Sequence, residues 1–244
     1  MTKSKASSAA RSKASGAADA AKSETAETTE TTETVETDAG TARITWHPAK
    51  RARLVLAVGH GAGGGIEARD LRAIAAALPA HGVTVALVEQ PWRVAGKKVA
   101  PAPKTLDVGW RGVWPALAEP GLPVVAGGRS AGARVACRTA TGLGAAAVLA
   151  LSFPLHPPGK PEKSRADELL GAGVPTLVVQ GGNDPFGKPA EFPEATAHDT
   201  AYELVEIPFG DHSFAVPKRA DIGQDEAVKR ITDAVARWAG MLSP

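Results

Sequence analysis

Cysteine is nearly missing from this chain: Cys137 is the sole example in 244 residues. One thiol closes no internal disulfide and sets up no metal-ligand spacing, so the fold is expected to rest on its apolar core and to suit a reducing compartment such as the cytoplasm. No run approaches the roughly 18 consecutive apolar residues of a membrane span. The first thirty residues also lack the apolar stretch of a secretory signal. Aromatics make up only 5% of the chain, and the net charge is +2. Lys and Arg are not gathered into a stripe interleaved with aromatics, so neither nucleic acid nor membrane is expected as a partner.

What is present divides in two. Residues 1–40 are built mainly from Ala, Ser, Lys, Thr and Glu, with Val35 the only large apolar side chain besides Met1. Such a segment buries too little to offset roughly 1–2 kcal/mol of backbone entropy per ordered residue, and a disordered tail is expected. Its basic, Ser/Ala-rich opening from Lys3 to Lys13 also resembles an organellar transit peptide. The acidic Thr/Glu run from Glu24 to Asp38 favours a solubilising tail.

From residue 41 to 244 short Val/Leu-rich runs alternate with longer Ala-rich stretches, the pattern of one α/β domain with a mostly parallel central sheet and helices on both faces. Strands are predicted at Ala42–Trp46, Leu54–Val58, Val83–Val88, Pro123–Ala126, Ala146–Ser152, Thr176–Val179 and Glu203–Ile207. Helical spacing of Ile66, Leu71, Ile74 and Leu78, and of Val228, Ile231, Val235 and Trp238, predicts an early and a final helix.

The sharpest local signal is Gly128-Arg129-Ser130-Ala131-Gly132, which follows the run PVVAG and precedes an Ala-rich stretch. A nucleophilic serine needs a strained strand-to-helix turn with small neighbours, so that the backbone folds tightly and the next amide faces the developing oxyanion. An acid and a base follow at later strand ends. Asp184 lies in Gly181-Gly182-Asn183-Asp184-Pro185, and His212 in Gly210-Asp211-His212-Ser213-Phe214. Ser130, Asp184 and His212 therefore form the expected nucleophile, acid and base. The loop His60-Gly61-Ala62-Gly63-Gly64-Gly65 supplies the other half of an oxyanion hole, formed by the amides of Ala62 and Ala131. The same loop satisfies G-x-G-x-x-G, and Glu89 ends the next strand where a dinucleotide fold keeps its ribose-binding acid. That rival gives no reason for the three later residues.

With these residues the chain resembles the α/β-hydrolase superfamily over residues 45–240, and within it the dienelactone-hydrolase-like branch. GHGAGG at 59–64 and FPLHPPGKPEK at 153–163 carry the closer likeness. The resemblance implies a serine hydrolase of small esters, thioesters or amides with no metal or organic cofactor. Because dienelactone hydrolases proper use cysteine at the elbow, lactone substrates are not implied. Some relatives are subunits of assemblies, so a non-catalytic binding or scaffolding protein is the alternative. Trp92 and His156, on loops after two strands, are candidate substrate contacts. Arg93, Lys97, Lys98, Arg129, Lys160, Lys163 and Arg165 suggest a basic rim favouring anionic acyl groups.

Overall fold

The structure, a computed structural model, describes residue 1 and residues 29–194 and 202–242. In chain order, the strands are β1 (Thr31–Thr37), β2 (Gly40–His47), β3 (Leu54–Gly59), β4 (Val83–Glu89), β5 (Val124–Arg129), β6 (Ala147–Leu151), β7 (Thr176–Gly181) and β8 (Tyr202–Ile207). The helices are α1 (Arg69–Ala77), α2 (Pro91–Val94), α3 (Pro103–Ala118), α4 (Ala131–Leu143), α5 (Ala166–Leu170) and α6 (Gln224–Met241). One sheet runs β1-β2-β4-β3-β5-β6-β7-β8. The β1–β2 and β2–β4 pairs are antiparallel, and the other five pairs are parallel.

The central strands read as unbroken apolar runs because both faces are covered. In β3, Val55 and Ala57 join α3, α4 and α5 in one buried cluster, while Leu54, Leu56 and Val58 join α1 and α6 in the other. Alternation at period 2 thus sends neighbouring residues to opposite layers. The face toward α3 is built small. Ala86, Ala57 and Ala126 lie in register across β4, β3 and β5, in the same cluster as the bulky Trp110 and Trp114 of α3. The opposite face is Leu- and Val-rich against Leu71 and Ile74 of α1 and Ile231 and Val235 of α6. Each fully buried Val or Leu there contributes about 1.5–3 kcal/mol.

All seven predicted strands are present, but the expected tail ends too late. Thr31–Thr37 is the edge strand β1, so the disordered assignment is wrong for that stretch, while residues 2–28 lie outside the described residues. Apolar content misjudged it, since β1 is held by its ladder to β2 and by side-chain bonds. Trp46 Nε1 donates to Glu33 Oε1 at 2.7 Å and Thr41 Oγ1 to Glu36 Oε1 at 2.7 Å. Four threonines and Val35 suit an extended edge, and Gly40, at φ 110°, closes the turn. Among the described residues no helix is long and apolar enough to cross a membrane.

Candidate active site

Ser130 occupies the single residue between β5 and α4, with φ 54° and ψ −111°. Few side chains tolerate that region, and the conformation costs about 1–3 kcal/mol. The turn is locked from both sides. Ser130 N donates to Leu151 O at 2.9 Å. A Cβ on Gly128 would lie 2.2 Å from Gly132 C, and one on Gly132 would lie 2.7 Å from Gly59 O. The two glycines of the motif are therefore required by backbone packing around the serine.

Asp184, fully buried, follows β7. Its Oδ1 accepts from Phe186 N at 2.8 Å, and its Oδ2 accepts from Gln180 Nε2 at 2.9 Å. His212, in the turn after β8, joins the two ends: Nδ1 lies 2.8 Å from Asp184 Oδ2 and Nε2 lies 2.9 Å from Ser130 Oγ. A carboxylate fixes the tautomer with the proton on Nδ1, which leaves Nε2 to accept from the hydroxyl. Phe186 stacks on the imidazole with centroids 4.2 Å apart and planes at 31°. The structure thus brings Ser130, His212 and Asp184 into one hydrogen-bonded chain at the carboxyl ends of three strands, where open α/β sheets place their ligands.

Two supporting residues escape a motif search. Gln180, on β7 itself, donates to Asp184 Oδ2 and also to Gly187 O at 2.8 Å, which fixes the Asp184 carboxylate. Asp70, on α1, is 3% exposed and faces Arg129, with Oδ2 to Nε at 3.3 Å. Arg129 Nη2 in turn donates to His212 O at 2.8 Å. Burial pushes the Asp70 carboxyl above its ordinary range, and the Arg129 guanidinium pulls it part of the way back. Both roles arise from side chains that meet only after folding.

The glycine loop leaves β3 through His60, which is buried. Its Nδ1 donates to Gly61 O at 2.9 Å, while Nε2 accepts from Gln90 N at 3.1 Å. Burial holds this imidazole below its usual pKa, in keeping with the neutral form these bonds require. Ala62 and Ala131 wall one small cleft, and Ala131 opens α4, so its N–H has no partner within the helix. The dinucleotide alternative fails here. No helix starts in the glycine loop, α1 beginning only at Arg69, and Glu89 is taken by Arg43 at 3.2 Å.

Trp92 is buried behind the loop, its indole 5.5 Å from the His60 ring. It lines the small cleft and also a 560 Å³ groove that runs past Gly40 and Lys97, and neither is lined by Ser130, Asp184 or His212. His156 does not offer a free nitrogen to a substrate. Its Nδ1 lies 2.9 Å from Pro157 O and its Nε2 lies 2.8 Å from Glu191 Oε2, so it ties its loop to the 189–191 turn. The basic rim is also thinner than expected. Arg93 is paired with Glu67 at 3.0 Å and Arg165 donates to Pro154 O at 2.8 Å, while Arg129 is engaged as described. Cys137 is buried in α4, and burial pushes its thiol up to about 12, which keeps it protonated.

Comparison with known proteins agrees with this architecture. Among solved structures, an α/β serine hydrolase without a lid from Xanthomonas campestris superposes with a TM-score of 0.64 at 19% identity, over 86% of this chain and 94% of that one. A dienelactone hydrolase from Anabaena variabilis gives 0.65 at 20% identity over 88% and 97%. An α/β serine hydrolase homologue from Coxiella burnetii gives 0.67 at 14% over 85% and 96%. A search of curated protein sequences finds no match. The profile described as Alpha/beta hydrolase domain matches residues 50–240, and the chain belongs to that family.

Proposed function

We propose that the protein is a serine hydrolase that cleaves a small ester, thioester or amide through an acyl-enzyme. The observation that carries this reading is the unbroken chain from Ser130 Oγ through His212 to the buried Asp184, with bonds of 2.9 and 2.8 Å. A hydroxyl is a poor nucleophile at neutral pH. It attacks a carbonyl when an oriented imidazole takes its proton and fixed donors receive the charge on the carbonyl oxygen. Ser130 Oγ attacks, His212 Nε2 accepts the proton and passes it to the leaving group, and the amides of Ala62 and Ala131 hold the oxyanion. Water then attacks the acyl-enzyme by the same route in reverse order of proton transfer. Asp184 keeps the imidazole turned toward the serine. A small-molecule substrate and a cytoplasmic setting suit this chemistry and the lone buried thiol.

The test is a fluorophosphonate probe. Wild-type protein should be labelled on Ser130, Ser130→Ala should abolish labelling without loss of fold, and His212→Ala should suppress it nearly as far. Asp184→Asn should weaken it through loss of imidazole orientation. A folded wild type that ignores the probe would refute the reading in favour of a binding or scaffolding role, and labelling that survives Ser130→Ala would mean another nucleophile.

A further inference from the structure

Asp184 meets the His212 imidazole at Nδ1 and Ser130 meets it at Nε2, both through atoms in the plane of the ring. Phe186 meets it from above. The two ring centroids are 4.2 Å apart and their planes differ by 31°, a separation below the roughly 4.5–7 Å of most aromatic pairs and reached only when face lies on face. The backbone fixes this half-buried ring from both sides. Phe186 N donates to Asp184 Oδ1 at 2.8 Å, and Phe186 O accepts from His156 N at 3.0 Å. Gly187, next in the chain at φ 137°, lies so close to Leu155 that a Cβ would meet Leu155 Cβ at 2.7 Å. The loop that carries the acid therefore also sets a benzene ring on the base.

This contact acts differently on the two forms of His212. With its single proton on Nδ1 the resting imidazole is neutral. As Ser130 Oγ attacks, the Oγ–H bond breaks and the proton passes to Nε2, the bond from Oγ to the carbonyl carbon forms, and the carbonyl electron pair moves onto oxygen. The ring is then an imidazolium. The face of a benzene ring carries partial negative charge and attracts a cation within about 6 Å of its centroid, and it gains far less from a neutral ring. An interaction made with the charged form alone lowers the barrier without tightening the ground state. We infer that Phe186 is a positioning residue of the reaction, stacked on His212 so that its face favours the protonated imidazole in the transition state, an inference that rests on the serine-hydrolase reading above. Asp184 supports the same charge in the ring plane and Phe186 supports it from above, so neither replaces the other.

The experiment replaces Phe186 in the full-length protein by mono-, di- and trifluorinated phenylalanine, which keep the shape of the ring and drain charge from its face. It measures the second-order rate of fluorophosphonate labelling of Ser130, a step that also sends the serine proton to His212 as fluoride leaves. The logarithm of the rate should fall steadily with each fluorine, the series spanning about 2-fold to 30-fold in all, while the melting temperature stays level. Phe186→Leu should be at least as slow as the trifluorinated protein. On a His212→Ala background the residual labelling should be the same with every ring, because the effect passes through the imidazole. Equal rates across the folded fluorinated series would overturn the inference whatever Phe186→Leu does, since the ring would then only pack, and the series decides the matter if Phe186→Leu does not fold. A dependence on the ring that persists without His212 would overturn it as well. Wild-type protein that is not labelled at all would remove the serine-hydrolase reading itself.

Discussion

Arg129→Met is expected to destabilise the protein far more than a surface arginine should. At 3.3 Å from Asp70, and at an effective dielectric of about 20, the pair attracts by about 5 kcal/mol before desolvation is subtracted. Neither partner is more than 12% exposed, so solvent screens the pair weakly. Removing the guanidinium leaves the buried Asp70 carboxylate with only backbone N–H groups of its own helix beside it and removes the donor to His212 O. Breaking such a buried pair costs about 3–5 kcal/mol, which in a domain of this size lowers the melting temperature by about 6–20 °C. The loss depends on pH in a definite direction. Burial already raises the folded-state pKa of Asp70, and without Arg129 it rises further. The penalty is therefore absent below the unfolded value near 3.9 and grows as pH rises toward the folded value. Thermal melts at pH 4.5 and pH 8 should show the deficit shrinking at the lower pH. The double variant Asp70→Leu/Arg129→Met should recover about 2 kcal/mol, because no charge is then orphaned. An equal deficit at both pH values, with additive single effects, would refute this account.

Three further outcomes follow from the geometry. Gly128→Ala sets a methyl 2.2 Å from the Gly132 backbone and should cost about 3 kcal/mol and the labelling of Ser130, whereas Gly63→Ala, with nothing within 4 Å, should stay within about 0.5 kcal/mol in urea titrations. His156→Gln should lower the melting temperature at pH 6 and much less at pH 9. The backbone acceptor Pro157 and the carboxylate of Glu191 raise the folded-state pKa of His156, so its contribution is complete below about 6.5 and is lost as pH rises through the folded value. A chain starting at residue 39 should melt below one starting at residue 29, because only the first lacks β1. Equal melting in calorimetry would show that the strand adds nothing.

The parts of the fold legible in the sequence are those set by local pattern. Strands β3 to β7 are buried, largely apolar runs bounded by Gly, Pro or charge, while β2 and β8 mix polar with apolar residues, and the predicted limits of all seven lie close to those observed. Helix α3 has no legible signature in the sequence, because Gly109, Gly112 and Pro115 interrupt its pattern. The first two glycines answer tertiary demands, since a Cβ on Gly109 would meet Gln90 Oε1 at 2.5 Å and one on Gly112 would meet Thr37 Cβ at 2.5 Å. At the site, Ser130, Asp184 and His212 stand at strand ends in short motifs, so their meeting could be expected. Gln180 looks like one more strand residue and Asp70 like one more acid opening a helix. Only the folded chain shows what they hold. His156 shows the converse, a histidine on the right loop whose nitrogens are already taken.

The backbone at Ser130 also separates the pull of chemistry from that of stability. At φ 54° and ψ −111° the position favours glycine, so Ser130→Gly should relax the turn and raise the melting temperature while ending any nucleophilic attack. A lineage that had given up the reaction and kept only the scaffold would gain by drifting to glycine here, one mutational step that the fold itself rewards. Serine at this position is thus held against the preference of its own backbone, and a survey of sequences sharing this fold could sort working copies from idle ones by that single residue.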